Sequence, residues 1–329
     1  MSVRRSVLAA CASLLLALPR LAAAQATEVR PIVGYLEPRS DSAVAAEWIG
    51  WFRDELGRRG FVDGESVGLL TRHGEGDPAR FADLARELVS AGASVIVTRG
   101  TTAVRAAQDV APSVPLVMGG SADPVAMGWA KSLSRPGGKI TGVSIFGAEM
   151  IGKRLDLLKQ VVPSGRTVAA FLQSANPGNP VFHEALRAAA AALGLEMKVR
   201  EIGGPAELRD AFAWAAANAA DGLFVIEDPM FFLHRQTLFA LAKEFRLPTV
   251  SGNVDLARAG ALAVYAIDAE TVARETARLV AEILRGANPG ELPIVQPTRL
   301  HLVINLKTAA ALGIEMPAAL LAVADEVIE

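Results

Sequence analysis

Arg135-Pro136-Gly137-Gly138-Lys139-Ile140-Thr141-Gly142-Val143-Ser144-Ile145-Phe146 breaks and then resumes a regular alternation of apolar strands and amphipathic helices. Pro136 fixes φ and disfavours the α region for Arg135, and Gly137 and Gly138 open backbone conformations that other residues avoid, so a helix must stop here. A strand, Ile140 to Ile145, then begins. An ordinary helix-to-strand loop has the same local chemistry. The symmetry on either side favours a crossing between two lobes.

Upstream, Ile32 to Leu36 reads as a short strand, followed by a helix in which Val44, Trp48, Phe52 and Leu56 recur every four residues. Val67 to Arg72 is a second strand. Asp77 caps and Pro78 starts a helix whose Phe81, Leu84, Ala85, Leu88 and Val89 form one apolar stripe. Val95-Ile96-Val97 is apolar on both faces, as in a parallel sheet covered by helices on each side. Thr101 or Thr102 then caps a short helix, and Pro115 to Met118 makes a fourth strand.

Downstream the alternation repeats. Helices from Ala148, Val181, Glu207 and Phe232 lead to strands at Thr167 to Leu172, Glu196 to Ile202, Gly222 to Ile226 and Pro248 to Val250. A further pass, Leu262 to Ile267 with a helix carrying Val272, Thr276, Leu279 and Ile283, is a candidate return to the first lobe. The expected fold class is α/β, two doubly wound Rossmann-like lobes joined by hinge crossings.

The 329 residues suffice for two domains with substantial cores. Residues 1–26 read as a signal peptide: Arg4 and Arg5 precede an apolar run from Val7 to Leu18, and Ala24-Gln25-Ala26 offers small residues for cleavage. The run is shorter than the roughly 20 residues a spanning helix needs, and Cys11 is poorly placed for a lipoprotein box. Without that segment 30 basic residues face 35 acidic ones, a formal charge of −5, which argues against nucleic acid. Cys11 is the single cysteine, so neither disulfides nor thiol chemistry is expected of the mature chain.

Open α/β sheets bind ligands at the carboxyl ends of their strands. The candidate ligand groups therefore follow strands: Ser40 beside Glu37, Arg39 and Asp41; Gly100, Thr101 and Thr102; Ser121 and Asp123; Gln173 and Asn176; Asp228 beside Glu227; then Tyr265 and Asp268. Gly100 permits close backbone approach, and the amides and two hydroxyls after it suit a carboxylate. Thr101 as a plain helix cap fits equally well. Asp123, Glu227 and Asp228 suit an ammonium group or a turn. Tyr265 suits stacking or a core position.

Enzyme signatures are missing. His73, His183, His234 and His301 lack the close pairing of a zinc site, and no phosphate loop appears. Gly119-Gly120-Ser121-Ala122-Asp123 lacks the second glycine of a nucleophile elbow. No catalytic residue, cofactor or metal is expected.

Phe52-x-x-x-Leu56 through Gly60-Phe61-x-x-Gly64, Asp123-Pro124-Val125, Arg135-Pro136-Gly137-Gly138-x-Ile140-Thr141-Gly142, Gln296-Pro297-Thr298, Val303-Ile304-Asn305-Leu306-Lys307-Thr308-Ala309 and Ala324-Asp325-Glu326-Val327-Ile328 carry a further signal. Together they resemble the ABC transporter substrate-binding proteins related to tryptophan-binding periplasmic proteins, from about Pro31 to Glu329. The resemblance implies a type I periplasmic-binding-protein fold with three hinge crossings, and capture of a small solute for an inner-membrane ABC permease; with Thr101 and Thr102 it points to an amino acid or another small carboxylate, and a neutral aromatic or nucleoside-like solute is the alternative. A soluble periplasmic monomer is expected. Lobe 1 would comprise 27–139 plus about 264–292, and lobe 2 would comprise 140–263 plus about 293–329. This chain departs from the family pattern at Gln173-Ser174-Ala175, inserted before Asn176-Pro177, and at Tyr265-Ala266-Ile267-Asp268. An exported ligand-sensing protein docking on a receptor would share this fold. An exported α/β hydrolase would need catalytic groups assembled in space.

Overall fold

The computed structural model describes residues 30–39, 43–146 and 148–329. Strands β1 (Ile32–Glu37), β2 (Gly68–His73), β3 (Ala93–Thr98), β4 (Leu116–Ala122) and β5 (Ile140–Phe146) form a parallel sheet in the order β2-β1-β3-β4-β5. Strands β6 (Thr167–Gln173), β7 (Glu196–Ile202), β8 (Gly222–Val225), β9 (Thr249–Ser251), β10 (Ala263–Ile267), β11 (Leu300–Asn305) and β12 (Glu326–Ile328) form the other, ordered β12-β11-β10-β9-β8-β6-β7. Among the described residues only the β10–β11 pair is antiparallel.

Helices α1 (Ala43–Arg58), α2 (Pro78–Ser90) and α3 (Thr101–Val110) cover the first sheet. Asp77 caps α2 as the sequence predicts, accepting from Ala79 N at 3.0 Å. Trp48, Phe52 and Leu56 of α1 pack on Val33, Val95 and Val97, while Phe81, Leu84 and Leu88 of α2 pack with Ile96 and Met118 on the opposite face. The second sheet carries α4 (Ala148–Val161), α5 (Asn179–Leu193), α6 (Leu208–Ala217), α7 (Pro229–Leu233), α8 (Arg235–Glu244) and α9 (Val254–Ala259). Its core centres on Phe171, Phe212, Phe224 and Phe231. The single helix expected from Phe232 to Phe245 is broken at His234 into α7 and α8.

Helix α10 (Ala269–Leu284) returns to the first sheet, where its Ala273, Ala277 and Val280 join the cluster around Trp48. Val295 then pairs with the edge of β5, with Ser144 N donating to Val295 O and Val295 N to Gly142 O, each at 2.9 Å. Helices α11 (Leu306–Leu312) and α12 (Ala318–Val323) close the chain around β11 and β12. The backbone therefore passes three times between the sheets: after β5, after β10 and between Val295 and Leu300. This is the type I periplasmic-binding-protein architecture.

Two strands lie elsewhere than expected. Ile140–Phe146 closes the first sheet instead of opening the second, so the first crossing follows the quoted stretch rather than coinciding with it. Likewise β10 belongs to the second sheet, and the return begins after Ile267. The reason is packing. Gly137 N donates to Gly290 O at 2.9 Å, and a Cβ on Gly290 would lie 2.7 Å from Gly138 O, so the Pro-Gly-Gly turn seats the returning segment. The residues before Pro136 are turns rather than a helix, and Asp123 begins them. Residues 1–26, read as an export signal, lie outside the described residues.

Gly142 shows how tightly β5 is held. Its φ is +140°, and a Cβ there would lie 2.4 Å from both N and O of Met118. Backbone cannot yield as a flexible side chain can, so Gly142→Ala should lower stability by about 3 kcal/mol. Urea unfolding monitored by circular dichroism checks this; an unchanged midpoint would contradict the β4–β5 packing described here.

Candidate functional site

The carboxyl ends of both sheets border a single cavity of about 330 Å³. The first sheet contributes Pro38 and Arg39 after β1, Arg99 and Gly100 after β3, and Gly119 and Gly120 within β4. From the second come Glu227 and Asp228 after β8, Gly252 and Asn253 after β9, and Ile267 and Asp268 at the end of β10. Trp48, Trp51 and Phe232 supply aromatic walls. The size matches the lower end of the range for small-molecule pockets, roughly 300–1,000 Å³, and leaves no room for a polymer.

On the first-lobe side a buried network surrounds Glu37, which is fully buried. Arg39 donates to Glu37 Oε1 from Nε at 2.8 Å and from its backbone N at 3.1 Å, and the Tyr35 hydroxyl donates to Oε2 at 2.6 Å. Arg99 Nη1 stands 3.7 Å from the same Oε2. Burial alone would raise the Glu37 pKa; the charges of Arg39 and Arg99, with the hydrogen bonds from Arg39 and Tyr35, bring it down to about 2. Burial next to that carboxylate pushes the Tyr35 hydroxyl well above its ordinary value, so it stays a donor. Trp48 stacks on Tyr35 at 5.3 Å and on Phe52 at 5.7 Å, and Arg99 lies 4.8 Å from its ring centre. Gly119 admits this arrangement, because a Cβ there would lie 3.0 Å from Arg99 Cγ and 3.1 Å from the indole.

The second lobe has its own buried ion pair. Arg154 of α4 holds Glu227 through Nη2 at 2.7 Å and Nη1 at 3.1 Å, and its Nε donates to Tyr265 O at 2.8 Å. Burial lowers the Arg154 pKa and raises that of Glu227, each partly offset by the partner. Gly252 packs over this pair; a Cβ would fall 1.7 Å from Glu227 Oε1. Asp228 caps α7 by accepting from Met230 N and accepts from Asn176 Nδ2, both at 3.0 Å, and burial raises its pKa against those bonds. The lobes touch where Arg39 lies 4.9 Å from the centre of the Phe232 ring, whose other neighbour is Arg235 at 4.6 Å.

Of the residues singled out from sequence, Gly100, Asp228 and Asp268 line the cavity, as do Arg39 and Glu227 named beside them. Asp268 also caps α10 through Thr271 N at 2.7 Å. Several of the others are occupied inside the fold. Thr101 Oγ1 accepts from Ala122 N at 3.1 Å, and Gly100 N donates to Gly120 O at 2.7 Å, so this helix start offers less to a ligand than its sequence suggests. Thr102 is half-buried on α3. Ser121 is fully buried and donates toward Met118 Sδ at 3.1 Å, and Asp123 accepts from Val125 N and Ala126 N in a turn. Gln173 and Asn176 are buried behind Asp228; Tyr265 is half-buried against the second core and offers its carbonyl to Arg154. Ser40 lies outside the described residues. Arg99, Arg154, Trp48 and Phe232 border the cavity without a sequence motif to mark them. Arg99 stands one residue before Gly100, and that adjacency is the signal the sequence carries.

These carboxyls titrate in opposite senses. An acid with a depressed folded-state pKa stabilises the fold above its ordinary value, here 4.5, and loses that contribution as pH falls toward about 2. The raised Glu227 and Asp228 run the other way, their contribution declining as pH rises through the range where unfolded carboxyls ionise. Between pH 4.5 and 2 the native chain should therefore lose about 3 kcal/mol more than Glu37→Gln. Denaturant titrations across that range measure it, and equal losses in both chains would contradict the network.

The model of a family described as ABC transporter substrate binding protein matches residues 41–328. A protein of Clostridioides difficile (strain R20291) named a tyrosine-binding protein is 24% identical over 264 residues, 80% of this chain and 76% of that one. The structure of the ABC domain in complex with L-Trp from Streptococcus pneumonia superposes with a TM-score of 0.84 at 24% identity, covering 91% of this chain and 100% of that chain. A ligand-free, open substrate-binding protein with adhesive properties from Clostridium difficile superposes with a TM-score of 0.66 at 22% identity, covering 91% and 99%. These relatives are binding proteins, not enzymes. With one parallel and one mixed sheet, three crossings and a cleft at the strand ends, the chain belongs to the family of ABC transporter substrate-binding proteins.

Proposed function

We propose that this chain captures an amino acid or another small carboxylate in the inter-lobe cavity and delivers it to an inner-membrane ABC permease. The observation that carries the reading is the cavity itself. It is amino-acid sized, bordered by Arg39 and Arg99 on the first lobe and by Asp228 and the Arg154–Glu227 pair on the second, with Trp48, Trp51 and Phe232 as walls. The tyrosine and tryptophan bound by the two relatives fit that chemistry. The basic-then-apolar segment ending at Ala26 supports export to the periplasm, where a soluble monomer would meet its permease.

The mechanism is hinge closure. Ligand in an open cleft gains contacts with both lobes only when they approach, so binding shifts the equilibrium toward the closed form. The Arg39–Phe232 contact between the lobes supports this reading. A permease that reads the closed arrangement would then accept loaded protein over empty protein.

A thermal-shift screen of refolded, ligand-stripped protein against amino acids, small carboxylates, nucleosides and sugars tests this reading. Ligand at about 100 times its Kd should stabilise by about 2.7 kcal/mol, and one class should do so selectively. Trp51→Ala, which removes a half-buried cavity wall, should weaken the same ligand by about tenfold or more. A correctly refolded chain that responds to none of these classes would overturn the proposal.

A further inference from the structure

Among the described residues, two buried guanidinium nitrogens at the cavity have no hydrogen-bond partner, Arg39 Nη2 and Arg99 Nη1. Both side chains line the cavity, and Arg39 is only 6% exposed. Glu37 is the single carboxylate they share, and both of its oxygens already accept, Oε1 from Arg39 and Oε2 from Tyr35. Among the described residues two cations thus meet one anion within ion-pair distance, a local surplus of one positive charge that Asp255, farther from Arg39, offsets only in part. The other arginines at the cavity are matched: Arg154 by Glu227, and Arg258 by Asp255 and Glu326.

Buried donors without acceptors and a buried cation without a counter-charge both carry a cost that an incoming anion removes. The flanking rings hold the two guanidinium groups but do not satisfy them. Trp48 lies under Arg99 at 4.8 Å and Phe232 under Arg39 at 4.9 Å, contacts weaker than a charge-assisted hydrogen bond.

We propose that Arg39 and Arg99 form the anion-reading pole of the cleft: a ligand carboxylate bridges Arg39 Nη2 and Arg99 Nη1, with Glu37 and Tyr35 as positioning residues. This rests on the solute-binding reading above and narrows it to ligands with a free carboxylate. A single surplus charge suits a monoanion better than a phosphate monoester, which carries about −1.5 to −2 at neutral pH. Because Arg39 also contacts Phe232 of the second lobe, the ligand's acid group acts on the side chain that joins the lobes. Ligand recognition and closure therefore share one residue.

Two measurements test this. In crystals of the unliganded protein soaked in bromide, anomalous scattering should place bromide between the two nitrogens, and no peak should appear there in Arg99→Met. In calorimetry, matched pairs separate the acid from the rest of the ligand: L-tryptophan against L-tryptophanamide, L-tyrosine against L-tyrosinamide, and 4-hydroxybenzoate against 4-hydroxybenzamide. The acid of a binding pair should bind about 100-fold more tightly than its amide. Arg99→Met should abolish that preference, and Arg99→Lys, which keeps the charge but not the fork, should retain part of it. No bromide at the pair, an amide equal to its acid, or a preference unchanged in Arg99→Met would overturn the proposal. Tight binding of a neutral sugar or nucleoside would overturn it while leaving the solute-binding reading intact, whereas no binding by any class would remove both.

Discussion

A parallel strand can be paired along both edges and covered on both faces, but its carboxyl end stays open. This constraint arranges the whole molecule. Helices α1 and α10 fill one face of the first sheet and α2 and α3 the other, so the ends of β1, β3 and β4 are left to border the cavity. The ends of β8, β9 and β10 do the same for the second lobe. Three chain passages between the lobes bring the two sets of ends to one cavity, and residues distant in sequence become neighbours there.

At each strand-end cluster the fold buries one carboxylate beside arginine, with different consequences. Two arginines and a tyrosine hold Glu37 strongly acidic, whereas Glu227, with Arg154 alone and little solvent, is pushed up. Buried ion pairs contribute little to net stability once desolvation is counted; their value lies in fixing geometry. Here they fix guanidinium groups and aromatic rings around the cleft before any ligand arrives. The glycines at 119 and 252 belong to the same arrangement, since a side chain at either position would collide with an arginine of the site.

Most of the architecture is legible in the sequence because it rests on local rules. The Trp48, Phe52 and Leu56 stripe, the Asp77 cap and the doubly apolar β3 all appear where periodicity and capping place them. The position of Ile140–Phe146 is not local. Pro136 and the two glycines signal a turn, but only contact with Gly290 and Met118 decides which sheet receives the next strand. The site divides similarly. Asp228 and Gly100 follow strands and face the cavity, but Thr101, Ser121 and Asp123 also follow strands and spend their polar atoms within their own lobe. Arg154 reads as an ordinary helix cation and Trp48 as a core residue. Their roles come from Glu227 and Arg99, which no sequence spacing ties to them.

The central claim is that ligand and closure are coupled. Spin labels attached after Ser90→Cys on α2 and Glu184→Cys on α5, both exposed, with Cys11 replaced, report the distance between the lobes by pulsed electron paramagnetic resonance. Ligand-stripped protein should give a broad or longer distance distribution that collapses to a short, narrow one with the best-binding carboxylate. Identical distributions with and without saturating ligand would contradict it.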